Sequence, residues 1–261
     1  MNLSLQNKTA VVCGSTQGIG LAIAKELAEL GAACILLARN EESLQQAVNM
    51  LDDANGQKHS YYVADFSSTA QVRQVIGKIA ATTPVHILIN NTGGPAAGPV
   101  TEASEEAFLA AFQQHLVNNH LLMQAVLPSM KKEGFGRIIN IISTSVRIPI
   151  QNLGVSNTIR AAVASWAKTL SYETGPFNIT VNNILPGYTK TKRLSALIEI
   201  NAARAGINTD ELSEKMQAAI PARRFGEPAE VAAVAAFLAT PAASYVNGVS
   251  IPVDGGSTGT V

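Results

Sequence analysis

Apolar positions along this chain follow two alternating rhythms. Short β-rich runs at 10–13, 33–37, 60–63, 85–89, 137–142, 179–184 and 249–253 predict brief strands. Between them the apolar spacing changes to threes and fours. Ile19, Ile23, Leu27 and Leu30 make one such stripe, and longer helical patterns cover 102–132 and 153–174. Strands this short, separated by helices, pair in parallel through right-handed crossovers. The predicted class is therefore α/β, a doubly wound parallel sheet of about seven strands with helices on both faces. One stretch, 192–220, has helical spacing but no strand of its own. It lies between the last two strands and is expected to form a helical cover over a substrate site.

Composition narrows the classes. With 47% hydrophobic and 15% charged residues, the 261-residue chain has material for one large core and is not a disordered protein. A single domain over 1–261 is expected. Nineteen basic residues balance nineteen acidic ones, so no net field draws the protein to nucleic acid or to an anionic membrane. The same neutrality leaves little repulsion between copies and is compatible with self-association. Cys13 and Cys34 fall inside predicted strands and read as small core residues of a reducing compartment. No CxxC, HExxH or clustered ligand pattern occurs, so no metal is expected. The first nine residues are polar, and apolar runs reach about ten residues where a membrane span needs about 20. A soluble, cytoplasmic protein is expected.

Candidate chemistry begins where the first strand ends. Gly14-Ser15-Thr16-Gln17-Gly18-Ile19-Gly20 leads straight into the first amphipathic helix. Gly14 permits a tight turn, Gly18 lets backbone approach a diphosphate, and Gly20 clears space where helix and strand pack. The diphosphate of a dinucleotide would then face the unpaired amides of the helix start. At the tip of the second strand an acid would bind a ribose 2′-hydroxyl, but Arg39 stands there instead. A guanidinium fits a 2′-phosphate, which favours NADP(H) over NAD(H).

Together these residues resemble the short-chain dehydrogenase/reductase family, from about Asn7 to Gly256. After the glycine turn come Asp65-Phe66, Asn90-Asn91-Thr92-Gly93 and Gly136-Arg137-Ile138-Ile139, the last leading to Ser143. Pro186-Gly187-Tyr188-Thr189-Lys190-Thr191, Arg223-Arg224-Phe225-Gly226-Glu227-Pro228 and Val253-Asp254-Gly255-Gly256 complete the series. The group resembled most is that of the 3-oxoacyl-(acyl-carrier-protein) reductases. The resemblance implies a Rossmann-like fold and a carbonyl or acyl-thioester substrate. It also implies a homotetramer or homodimer, with the Ala- and Leu-rich helix around Trp166 as a candidate interface. It carries cofactor contact to Gly14, Ser15, Gln17, Gly18, Ile19, Asp65, Phe66, Asn90, Pro186, Gly187 and Thr189, and a catalytic role to Ser143.

The family's Tyr-x-x-x-Lys pair is missing. Its tyrosine position, 13 residues beyond Ser143, holds Ser156, and its lysine position holds Arg160. The position of the family's active-site asparagine falls on His115. A serine is shorter than a tyrosine and a far weaker acid than a phenol, and an arginine does not shuttle protons. Arg160 can still donate to ribose hydroxyls. Three readings follow. In the first the protein is a reductase in which Ser143 holds the carbonyl oxygen while Tyr188 or His115 supplies the proton through water. In the second it is a catalytically silent nucleotide-binding sensor or subunit. In the third the scaffold hydrates or isomerises an acyl thioester.

Overall fold

A computed structural model describes residues 1–259 and converts the two rhythms into alternating elements. The first half runs β1 (Thr9–Cys13), α1 (Gly18–Glu29), β2 (Ala33–Ala38), α2 (Glu41–Val48), β3 (Ser60–Val63), α3 (Thr69–Thr82) and β4 (Ile87–Asn90). It continues through α4 (Glu105–Phe112), α5 (Asn118–Glu133), β5 (Gly136–Ile141), α6 (Gly154–Thr174) and β6 (Ile179–Pro186). The chain then forms α7 (Lys192–Ala205), α8 (Thr209–Ala218), α9 (Pro228–Ala239) and β7 (Ser250–Val253). All seven strands join one parallel sheet in the order β3-β2-β1-β4-β5-β6-β7. This is the doubly wound α/β architecture that the pattern predicted, and the Rossmann-like fold that the resemblance implied.

Alternate residues of each strand feed two separate cores, because successive side chains leave a strand on opposite faces. Val12, Leu36, Ile89, Ile139 and Ile184 pack with Ile23 and Leu27 of α1 and Val231 of α9. Their neighbours Val11, Ile35, Leu88, Ile138 and Val181 pack with Ile76 of α3, Val126 of α5 and Leu170 of α6. Cys13 and Cys34 are buried and free. Burial pushes both thiols up, that of Cys34 to about 12, so neither is a nucleophile at neutral pH. The strand order reverses beside β1, which pairs with β2 on one side and β4 on the other. There the helices on the two faces part and leave a crevice at the carboxyl ends of the strands.

Three segments differ from the expected pattern. Strand β4 starts at Ile87, not Val85, because the Val85 amide donates to Ser129 Oγ (3.2 Å) and lies outside the ladder. Strand β6 runs two residues further, with Pro186 opposite Val253. The helix expected over 102–132 is interrupted, since a π-helical turn at Gln113–Val117 separates α4 from α5. One extra residue in that turn is invisible to apolar periodicity. The 192–220 stretch forms α7 and α8, joined at Gly206 in a left-handed conformation. Among the described residues no helix is long and apolar enough to cross a membrane, and no cluster of three or more His, Cys, Asp or Glu is placed to hold a metal.

Candidate active site

The crevice floor is the turn between β1 and α1. Gly14 and Gly18 have φ of +59° and +56°, a region that L side chains rarely enter. The turn is pinned from the neighbouring strand end, where Asn91 Nδ2 donates to the carbonyls of Cys13 (3.2 Å) and Gly14 (3.1 Å). A Cβ on Gly20 would collide with the Gly14 carbonyl, and one on Gly18 would lie 3.1 Å from Thr191 Cγ2 across the crevice. Gln17 precedes α1 without capping it through its side chain, so the first amides remain open to an anion. Ile19 reaches the adjoining cavity wall. Ser15 is fully buried and its hydroxyl donates to the Leu37 carbonyl (3.4 Å), so that side chain serves the turn.

At the outer end of the crevice Arg39 is exposed at the tip of β2, while Asn40 caps α2 by accepting from the Ser43 amide (2.7 Å). The Asp65 carboxylate accepts from the Ser67 amide (2.9 Å). Those Ser67 bonds, and to a smaller degree the charge of Arg39, hold Asp65 below its usual range. Phe66 is buried, and its carbonyl accepts from Asn118 Nδ2 (2.7 Å). Asn90 is buried within the sheet, where its Nδ2 donates to Asn140 Oδ1 (2.8 Å). Asn91, one residue on, is the asparagine that faces the crevice.

Beside the turn a cavity of about 640 Å³ opens over the ends of β4, β5 and β6. Ser143, Arg160, Tyr188, Pro186, Gly187 and Thr189 are all on its wall, and Leu194, Leu197, Leu212 and Met216 of α7 and α8 cover the far side. Ser143 Oγ accepts from the Ser145 amide (3.1 Å), which leaves its own proton to donate. Arg160 is 9% exposed and gives one N–H to the Ile141 carbonyl (2.9 Å). Burial first, and the charge of Arg193 second, bring its guanidinium down to about 10, still charged at neutral pH. Tyr188 packs edge-on against Phe225 with ring centres 6.3 Å apart, and burial raises its phenol, making it a poorer acid.

Two of the expected catalytic residues stand back from this wall. Ser156 is buried and does not line the cavity. His115, in the π-helical turn, is 1% exposed and reaches the cavity only through Thr92, whose Oγ1 lies 2.7 Å from its Nδ1. Burial, then the charges of Arg160 and Arg193, lower its imidazole from 6.5 to about 3. His115 is thus neutral in the fold and protonated near its ordinary value when unfolded. Its contribution to stability is complete above about 6.5 and is lost as the pH falls toward about 3, at up to about 1.4 kcal/mol per pH unit. His115→Asn is expected to flatten this part of the stability profile, measured by urea unfolding at stepped pH.

Asn91, Thr92 and Arg193 were not singled out by the sequence reading. The first two sit inside the Asn-Asn-Thr-Gly motif and were within reach of it. Arg193 carries no local signal, for its partners are the carbonyls of Gly94 (3.0 Å) and Pro95 (2.9 Å) on the far side of the cavity mouth.

The seven-stranded sheet, the glycine turn at its reversal point and the adjoining cavity define a doubly wound α/β protein with an open crevice at its switch point. The family model described as enoyl-(acyl carrier protein) reductase matches residues 14–258. The chain belongs to the short-chain dehydrogenase/reductase family. It is 34% identical over 256 residues to the 3-oxoacyl-(acyl-carrier-protein) reductase FabG of Vibrio cholerae, covering 97% of this chain and 98% of that one. A tropinone reductase homolog of Arabidopsis thaliana is also 34% identical, over 98% of this chain and 94% of the relative. The crystal structure of L-sorbose reductase from Gluconobacter frateurii, complexed with NADPH and L-sorbose, superposes with a TM-score of 0.93 at 28% identity over the whole of both chains.

Proposed function

We propose that the protein is an NADPH-dependent carbonyl reductase with an atypical catalytic site, similar to the 3-oxoacyl-(acyl-carrier-protein) reductases. The observation that carries this reading is that Ser143 and Arg160 both line one cavity beside the glycine turn. The chain's own residues fit the dinucleotide. Open amides after Gly14 and Gly18 take the diphosphate, Arg39 the 2′-phosphate, Asp65 and Phe66 the adenine, and Pro186, Gly187 and Thr189 the nicotinamide. NADPH, when bound, supplies the hydride.

Ser143 donates a hydrogen bond to the carbonyl oxygen of the substrate and keeps its proton, and Arg160 faces the same oxygen and the ribose. Both donors are fixed before reaction, so negative charge that develops on that oxygen meets them without reorganisation. The proton comes from water in the cavity through the Thr92 hydroxyl, which His115 holds in place. Helices α7 and α8 act as the cover that excludes bulk water. The outward face of α6 around Trp166 serves a homotetramer or homodimer.

The test is NADPH oxidation over a panel of ketones, aldehydes and acyl thioesters, with both cofactors titrated in parallel. NADPH is expected to bind about tenfold or more tighter than NADH, and Arg39→Ala to erase the difference. Turnover by the natural chain supports the reading. Turnover only after Ser156→Tyr with Arg160→Lys replaces it with the silent nucleotide-binding subunit.

A further inference from the structure

Among the described residues the cavity holds two cations and no acid. Arg160 and Arg193 are the charged residues on its wall, which has no Asp, Glu, Lys or His among the described residues. Neither arginine belongs to an ion pair among those residues, where the pairs are Lys190–Glu227, Lys215–Glu211 and Arg224–Glu230. Arg160 is nine-tenths buried and meets one protein acceptor, a carbonyl. A buried cation without a counter-charge is costly, and a second cation in the same cavity adds repulsion.

Arg193, solvent-exposed, is anchored at the mouth of the cavity. Its Nη1 and Nη2 clamp the Gly94 and Pro95 carbonyls (3.0 and 2.9 Å). The remaining N–H groups of the fork are left for a ligand. Gly94 has no positive φ that would demand glycine, yet a Cβ there would lie 2.7 Å from Arg193 Nη2. The missing side chain is what lets the guanidinium lie against the loop. Arg193 also follows Lys192 in the first turn of α7, which holds no acid. That end of a helix favours negative charge, so local electrostatics oppose both residues.

Resting on the reductase reading, we infer that the substrate is a carbonyl compound bearing a free carboxylate, taken by Arg193 while Ser143 and Arg160 hold the carbonyl oxygen. Its apolar part lies against Leu197, Leu212 and Met216. The cofactor diphosphate is the other anion that Arg193 can reach, because Thr191 beside it faces Gly18.

The experiment separates the two anions. Protein loaded with NADP⁺ is titrated by calorimetry with 2-, 3- and 4-oxooctanoate and with their methyl esters, and NADPH affinity is measured on each variant. At least one acid is expected to bind about tenfold or more tighter than its ester. Arg193→Met brings that ratio near one, Arg193→Lys keeps part of it, and Gly94→Ala lowers it with both arginines present. Equal binding of acids and esters overturns the inference. So does an Arg193→Met variant that loses about tenfold in NADPH affinity yet keeps the ratio, since the fork then serves the diphosphate. Failure of every compound to oxidise NADPH sinks the reductase reading, while the binding ratio still decides the acid preference.

Discussion

Arg160→Met is expected to yield a protein that melts at a higher temperature and has almost no reductase activity. The two effects have one cause. In the fold Arg160 is 9% exposed, has no ion-pair partner among the described residues, and stands within the field of Arg193. Replacing a buried, imperfectly compensated charge by an apolar side chain of similar length is neutral or stabilising by about 1–4 kcal/mol. Loss of the charge-assisted bond to the Ile141 carbonyl returns about 1.5–3 kcal/mol of that. For a chain of this size each kcal/mol moves Tm by about 2–4 °C, so a rise of up to a few degrees is expected by scanning calorimetry. Removal of a fixed donor from a developing oxyanion costs about 10²–10³ in kcat. Arg160→Lys keeps a cation but loses the planar fork, and falls between the two. A lower Tm with unchanged kcat makes Arg160 a structural residue and removes the proposed oxyanion site.

That cation was visible in the sequence as a departure from the family's lysine, but its isolation was not. Strands β1, β2 and β4 were legible because they are buried on both faces and read as nearly unbroken apolar runs. The glycine turn was legible because positive φ confines Gly14 and Gly18 to one residue type. What escaped depends on contacts between distant parts of the chain. Asn91 pins the turn from 77 and 78 residues away, and Arg193 meets carbonyls 98 and 99 residues away. Counting from the family motif placed His115 at the active-site asparagine. The π-helical turn that withdraws it behind Thr92 leaves no mark on apolar spacing. Asn90 shows the same limit, for its motif position suggested the cofactor while its side chain runs along the sheet.

Asn140→Leu is expected to destabilise the protein by about 2–5 kcal/mol, read as a lower urea midpoint at constant slope. Asn90, Asn140, Asn183 and Ser250 occupy facing register positions on β4, β5, β6 and β7. Asn90 Nδ2 donates to Asn140 Oδ1 (2.8 Å), Asn140 Nδ2 to Asn183 Oδ1 (2.9 Å), and Asn183 Nδ2 to Ser250 Oγ (3.0 Å). Leucine at the centre leaves the Asn90 amide and the Asn183 carbonyl unpaired inside the sheet. Each orphaned buried group costs about 1–3 kcal/mol, and Asn90 Oδ1 already lacks a partner. Ser250→Ala, at the half-buried end, breaks one bond and should cost about 1 kcal/mol. The loss is expected to reach the site as well. Asn90 precedes the Asn91 that pins the glycine turn, and Asn140 precedes the Ile141 carbonyl that takes Arg160. NADPH affinity should therefore fall in Asn140→Leu and hold in Ser250→Ala. If the two variants unfold at the same midpoint, the amides are three separate bonds and do not act as one ladder setting the strand ends.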